Sequence, residues 1–213
     1  KVFVLSATWP HVTGSVQAAE VVPYEIVRCL AQNEGCEVVY GCPAYDEVKI
    51  TPAAQAGIAA LERLGVRVLP LIRMPPWNVE RGRLEKWMRM LVLRDPACLL
   101  PGYGQHQPLA DALRSIGWTP DVVIPVWNYE LTAAAASLPY AMYAFYGNPE
   151  FKVYQANLAV MWRWERRWSP GWVARHIADR LRVRAIESEH MRMMRRFALI
   201  LAALALLALV VPA

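Results

Sequence analysis

Pairs of cysteines two residues apart are missing. The four cysteines stand at 29, 36, 42 and 98, which excludes the usual zinc-ribbon and thioredoxin spacings and points to reduced thiols in a cytosolic setting. A Walker A sequence, H-E-x-x-H and G-x-S-x-G are absent too, so the common phosphate-loop, zinc-protease and nucleophile-elbow chemistries have no starting point. Gly102-x-Gly104 lacks the third glycine of a dinucleotide fingerprint and does not directly follow a strand-like run. The histidines at 11, 106, 176 and 190 show no metal-ligand spacing, so no metal centre is expected. His106, His176 and His190 read as surface or capping residues. Charge is sparse at 19% while 56% of the residues are hydrophobic, which excludes a disordered tail or linker. Internal repeats are lacking, and low complexity is confined to Ala133–Ala136 and the C-terminal end.

What is present fits a globular α/β chain. Its 213 residues leave room for one large domain or two small ones. Lys plus Arg number 23 against 18 Asp plus Glu, a net +5, which favours anionic partners without selecting one. Residues 1–7 form a strand-like run and not a cleavable leader. Phe197–Ala213 is a run of seventeen uncharged residues behind Arg192, Arg195 and Arg196. As a helix it would rise about 25 Å, a little short of a hydrocarbon core of about 30 Å. It is expected either as a C-terminal tail anchor with its basic flank on the cytoplasmic side, or as the apolar end of a truncated product. The start at Lys1 instead of Met fits a fragment.

Ahead of that run, strand-like and helix-like segments alternate. Strands are expected at Val2–Ala7, Glu37–Cys42, Val66–Leu71, Asp121–Val126, Tyr140–Tyr146 and Val183–Glu187. Helices are expected at about Val16–Asn33, with Ser15 as N-cap, Gly35 as stop and a kink or break at Pro23. Others are expected at Pro52–Leu64, Val79–Arg94, Gln107–Ile116, Glu130–Ser137, Pro149–Arg167 and Trp172–Leu181, with one more from Ser188. Strands regularly separated by helices predict a doubly wound, mostly parallel sheet of about six strands.

In such a sheet the ligand lies at the carboxyl ends of the strands, near the point where strand order reverses. The loop after the first strand runs Thr8-Trp9-Pro10-His11-Val12-Thr13-Gly14-Ser15. Small residues at 13–15 allow close approach of a diphosphate or a sugar hydroxyl to a helix N-terminus; an ordinary βα loop with a Ser cap has the same look. His11 lies in this loop and could act as hydrogen-bond donor or base. Trp127-Asn128-Tyr129-Glu130 and Tyr146-Gly147-Asn148-Pro149 follow later strands. Aromatic rings beside amide and carboxyl groups suit the CH faces and hydroxyls of a sugar, and equally suit packing and helix capping. Two segments, Met161–Trp168 with Trp172 and Arg175 beyond, and Glu85–Met90, mix tryptophan with arginine. Such a mixture fits either a membrane interface or core tryptophans beside a solvated face. No nucleic-acid module occurs, so nucleic acid is not an expected partner.

The opening strand Lys1–Ser6, the Thr13-Gly14-Ser15 loop and the helix through Glu25–Ala31 resemble the first βα unit of family 4-like glycosyltransferases of the GT-B fold. Gly35–Val39 resembles the approach to that family's second strand, Pro120–Ile124 its "P-D-V-V" strand, and Leu138–Ala141 the next. Ala185–His190 resembles the strand-to-helix turn that closes the N-terminal half. The match covers about residues 1–196. The resemblance implies a Rossmann-like, acceptor-side domain over 1–196, with 197–213 as a separate apolar C-terminal helix. It implies an enzyme that transfers a sugar from a nucleotide diphosphate sugar to a glycan or glycolipid acceptor, with no further cofactor. The family's paired glutamates with seven residues between them, supplied by a second domain, have no counterpart here, so the chain alone is expected to be inactive. Histidines that often follow "D-V-V" in the family are replaced by Ile124, Pro125 and Val126. The candidates that remain for acceptor or donor binding are His11, Thr13, Gly14, Ser15, Trp127, Asn128 and Tyr146. The expected setting is cytoplasmic, with the chain peripheral to or tail-anchored on the inner membrane. Two alternatives stay open: a non-catalytic membrane-tethered binding module, and an unrelated small-ligand α/β enzyme.

Overall fold

The computed structural model describes residues 1–12, 18–33, 35–45, 48–75, 85, 88–89, 92–93, 104–126, 128–144, 155–156, 159–160, 171–174, 176–188 and 191–192. The chain divides into two compact units, Lys1–Trp77 with Gly102–Tyr146, and Asn78–Pro101 with Gly147–Ala213.

The first unit is α/β. Its elements are β1 (Val2–Ser6), α1 (Ala18–Ala31), β2 (Val38–Gly41), β3 (Pro43–Ala44), α2 (Pro52–Arg63) and β4 (Arg67–Val68). They continue with β5 (Ile72–Arg73), α3 (Gln107–Ser115), β6 (Val122–Val126), α4 (Tyr129–Ala135) and β7 (Ala141–Met142). The main sheet has five strands in the order β4-β2-β1-β6-β7, every adjacent pair parallel. Parallel neighbours need long crossovers, and the helices between strands supply them.

β1 is central and is buried on both sides. Val4 joins Tyr24 and Val27 of α1, Ala54 and Leu61 of α2, and Tyr40 of β2 in one core. Phe3 and Leu5, which alternation places on the opposite side, are also fully buried, as is Val123 of β6 beside Phe3. That is why the strand is a continuous apolar run and not an alternating one.

Local signals explain most element boundaries. Thr51 caps α2, its Oγ1 accepting from Ala54 N at 3.1 Å, and Pro52 opens the helix where its missing N–H costs nothing. Gly35 and Gly65 take positive φ, 89° and 82°, just past the ends of α1 and α2. Pro23 does not divide α1, which runs through it as one helix. Its absent N–H would have bonded the carbonyl of Ala19, in the first turn, and Tyr24 and Val27 anchor the following turn in the core.

Two strand expectations are corrected. The segment 66–71 does not form one strand: Leu69 N still bonds Tyr40 O, at 2.8 Å, but Pro70 brings no N–H to the ladder. Pairing resumes a step further on, Ile72 N to Cys42 O at 3.0 Å and Met74 N to Ala44 O at 2.9 Å, as a separate two-stranded parallel sheet of β3 and β5. The expected strand Val183–Glu187 is helical, within a helical stretch over 176–188. Its buried positions His176, Val183 and Ile186 follow helical spacing, so the short β-branched run misled where the longer period decides. Ala185–Ser188 is accordingly not a strand-to-helix turn. β7 covers only Ala141–Met142 of the expected Tyr140–Tyr146.

No described helix is long and apolar enough to cross a membrane. The apolar C-terminal helix expected over 197–213 and the boundary at 196 lie outside the described residues, as do Ser15, Cys98 and His190.

Candidate functional site

Strand order reverses between β1 and β6: the chain leaves β1 toward β2 and β4 on one side, and returns to place β6 and β7 on the other. Ser6 pairs with Val126 at the carboxyl ends of these two strands, the point at which sheets of this order generally take their ligands.

The loop after β1 is held at every described residue from Thr8 to His11. Thr8 N donates to Ser6 Oγ at 3.3 Å, and the two hydroxyls lie 3.2 Å apart. The hydroxyl of buried Tyr40 donates to Thr8 O at 2.5 Å. Burial pushes that phenol's pKa well above the usual tyrosine value, so it stays a donor at all ordinary pH. Trp9 is 4% exposed, and its Nε1 donates to Val48 O at 3.4 Å. Pro10 O packs against Gly57 of α2 so closely that a Cβ built there would lie 1.9 Å from it; only glycine fits under this turn.

His11 is tied to α1 twice. Its N–H donates to Glu20 O at 3.2 Å, and its Nδ1 lies 3.0 Å from Glu20 Oε2. A carboxylate beside Nδ1 orients the imidazole ring. Glu20 was not a sequence candidate; its signal was an acidic residue in the first turn of the helix after the loop.

On the β6 side, Asn128 serves the fold first. Its Oδ1 accepts from Leu131 N at 2.9 Å and its carbonyl accepts from Thr132 Oγ1 at 2.8 Å. The side-chain oxygen expected to hold a sugar hydroxyl therefore caps α4. Glu130, in the first turn of that helix, is half-buried, and burial raises its pKa above the carboxylate norm. Tyr45, directly after β3, has a buried hydroxyl with no hydrogen-bond partner among the described residues. Burial first, and the charge of Glu130 second, push that phenol up to about 12. The phenol thus lies within electrostatic range of Glu130, and a hydroxyl that bonded Tyr45 would satisfy it. Cys42, between β2 and β3, is pushed up to about 12 by burial, which leaves it a thiol and a poor nucleophile.

Of the sequence candidates, the structure places His11 in the loop after β1, held against Glu20 of α1, and makes Asn128 a helix cap; Thr13, Gly14, Ser15, Trp127 and Tyr146 lie outside the described residues. His106 stands at the N-cap position of α3 but its side chain makes no cap bond. His176, expected at the surface or at a cap, is 7% exposed and stacks on Trp172 with ring centroids 5.7 Å apart; residues four apart lie one above the other on a helix. Among the described residues no group of three His, Cys, Asp or Glu is arranged to hold a metal ion. No family model matches the chain, and no curated protein or solved structure matches it.

Proposed function

We propose that the first unit is a Rossmann-like domain of a nucleotide-sugar-dependent glycosyltransferase, and that it supplies the acceptor side of the reaction. The observation that carries this reading is the reversal of strand order in a five-stranded parallel sheet, with the half-buried Glu130 in the first turn after β6 and the unsatisfied Tyr45 hydroxyl directly after β3. The Ser6–Thr8 hydroxyl pair and the His11–Glu20 pair stand after the neighbouring strand. Such a set suits a ligand made of hydroxyl groups: a glycan or the sugar of a glycolipid.

In this reading the acceptor hydroxyl attacks the anomeric carbon of a nucleotide diphosphate sugar, the bond from that carbon to the diphosphate oxygen breaks, and the hydroxyl proton passes to a base. Glu130 is the group best suited to take it, since a carboxyl with a raised pKa holds a proton more readily at neutral pH. Tyr45 donates to the acceptor and orients it. Stabilisation of the departing diphosphate needs fixed donors that Glu130 and Tyr45 do not supply, and acceptor binding without transfer is what these residues support. Positioning and preorganised charge together contribute roughly 10 kcal/mol or more to such reactions, far more than one wall of a cleft supplies.

The test is an acceptor-binding and transfer assay of the chain across panels of glycans, glycolipids and nucleotide sugars, with a methyl donor as control. Acceptor binding that Tyr45→Phe and Glu130→Gln weaken, without transfer, is the expected result. Turnover by this chain alone would show that the reaction centre is misplaced. Binding of the methyl donor, with no sugar bound, would point to an unrelated small-ligand enzyme.

A further inference from the structure

The second unit holds a feature that this reading does not use. A solvent-open cavity of about 250 Å³ is lined by Gln155, Ala159, His176, Arg180, Val183 and Arg184. Four of these come from the helical stretch 176–188, and His176, Arg180 and Arg184 stand four residues apart on one face of it. The other two, also four apart, come from a second helical segment and bring an amide to the opposite side. His176 and Val183 form a buried floor, while Arg180 and Arg184 are exposed at the rim. Arg184 makes no ion pair among the described residues. The nearby carboxylate of Glu187 instead accepts from Gln155 Nε2 at 3.3 Å.

From this geometry we infer that the cavity is a binding site for a phosphate group. Two guanidinium forks on successive turns can each give paired N–H donors to phosphate oxygens, and the imidazole and the Gln155 amide add neutral donors below and opposite. Size sets the ligand class: the volume is below the 300–1,000 Å³ or so of sites that enclose drug-sized ligands. The cavity therefore takes a phosphate or diphosphate, or the phosphate of a larger molecule whose remainder stays outside. Exposed Ile177 and Leu181 lie on the same helix, next to the arginine row by helical spacing. A phospholipid headgroup is thus one source of the phosphate, and a free phosphate ester the other.

The experiment uses the full chain and two sets of probes. Inorganic phosphate and pyrophosphate are titrated by calorimetry, with the side-chain signals of His176, Arg180 and Arg184 followed by NMR. Flotation is measured with phosphatidylcholine vesicles with and without phosphatidic acid. Binding of a soluble probe that shifts these three side chains supports the site with a free phosphate as source. Binding to phosphatidic acid vesicles alone supports it with a headgroup as source. In either case Arg184→Gln weakens binding roughly tenfold, the effect of losing a hydrogen bond to a charged group, and Arg184→Lys weakens it less. Arg180 and Arg184 are exposed, so thermal unfolding of variants at either position stays at the parent value and separates lost binding from lost fold. Absence of binding to every probe, or binding that Arg184→Gln and Arg180→Gln leave unchanged, overturns the inference.

Discussion

Glu130 in the first unit and His176 in the second are both withdrawn from water, and burial moves them in opposite directions. The carboxyl of Glu130 is raised above its ordinary 4.5, because desolvation disfavours its anion. The imidazole of His176 is lowered below 6.5, first by desolvation and then by the charge of Arg180, with Asp179 opposing. Their surroundings differ in the same sense. Around the β1 loop, polar groups are engaged with backbone: Tyr40 with Thr8, Trp9 with Val48, Asn128 with Leu131. Along the helix at 176–188, Arg180 and Arg184 lie exposed at the surface. One region obtains its geometry from packing and fixed hydrogen bonds, the other presents charge on a regular helix. Substitutions should therefore cost stability in the first region and ligand affinity in the second.

The largest effect is expected at the centre of the sheet. Phe3→Ala, at a fully buried site, should lower unfolding free energy by about 3–5 kcal/mol in urea titrations. Gly57→Ala comes next, at about 1–3 kcal/mol, because the added carbon meets the Pro10 carbonyl and either α2 or the loop must yield. The same variant should move the His11 and Trp9 signals, which a purely helical effect on α2 would not. Asn128→Ala removes the cap of α4 and should cost about 1 kcal/mol, while Asn128→Asp or Asn128→Ser keeps most of it. Arg184→Gln sharpens the contrast from the other side, with stability within about 0.5 kcal/mol of the parent.

The pH dependence distinguishes the two regions by sign. A carboxyl whose folded pKa is raised binds its proton more readily in the folded state, so its contribution to stability falls as pH rises from about 4.5 through the folded value. An imidazole whose folded pKa is lowered works the other way. Its unfolded form takes up the proton first, so stability is lost as pH falls from 6.5 toward the folded value. Glu130→Gln should flatten the first slope and His176→Gln the second in denaturation curves measured from pH 4 to 8. Slopes that remain in both variants would place the titration elsewhere.

Much of the first unit was legible in the sequence because single local rules decided it. The apolar runs of β1 and β6, the Thr51-Pro52 start of α2 and the glycines at 35 and 65 each carry their own signal. The split of 66–71 was not, since Pro70 ends one ladder only in relation to β2 and β3. The helix at 183–187 was missed because five residues of mixed β-branched and charged character fit either period. The site was legible in part. His11 was found from its loop, but its partner Glu20 becomes visible only once the loop folds back on α1. Tyr45 and Glu130 stand 85 positions apart, so no local sequence pattern links them.

The central claim is that a sugar hydroxyl binds where β1 and β6 end. The most direct measurement is an NMR titration of the chain with acceptor glycans and micellar glycolipids, following Thr8, His11, Tyr45 and Glu130. The account predicts saturable shifts at these four residues for at least one acceptor, weakened roughly tenfold in Tyr45→Phe by loss of one hydrogen bond to a ligand and unaffected by Arg184→Gln. Shifts confined to other residues, or none with any acceptor, would contradict it.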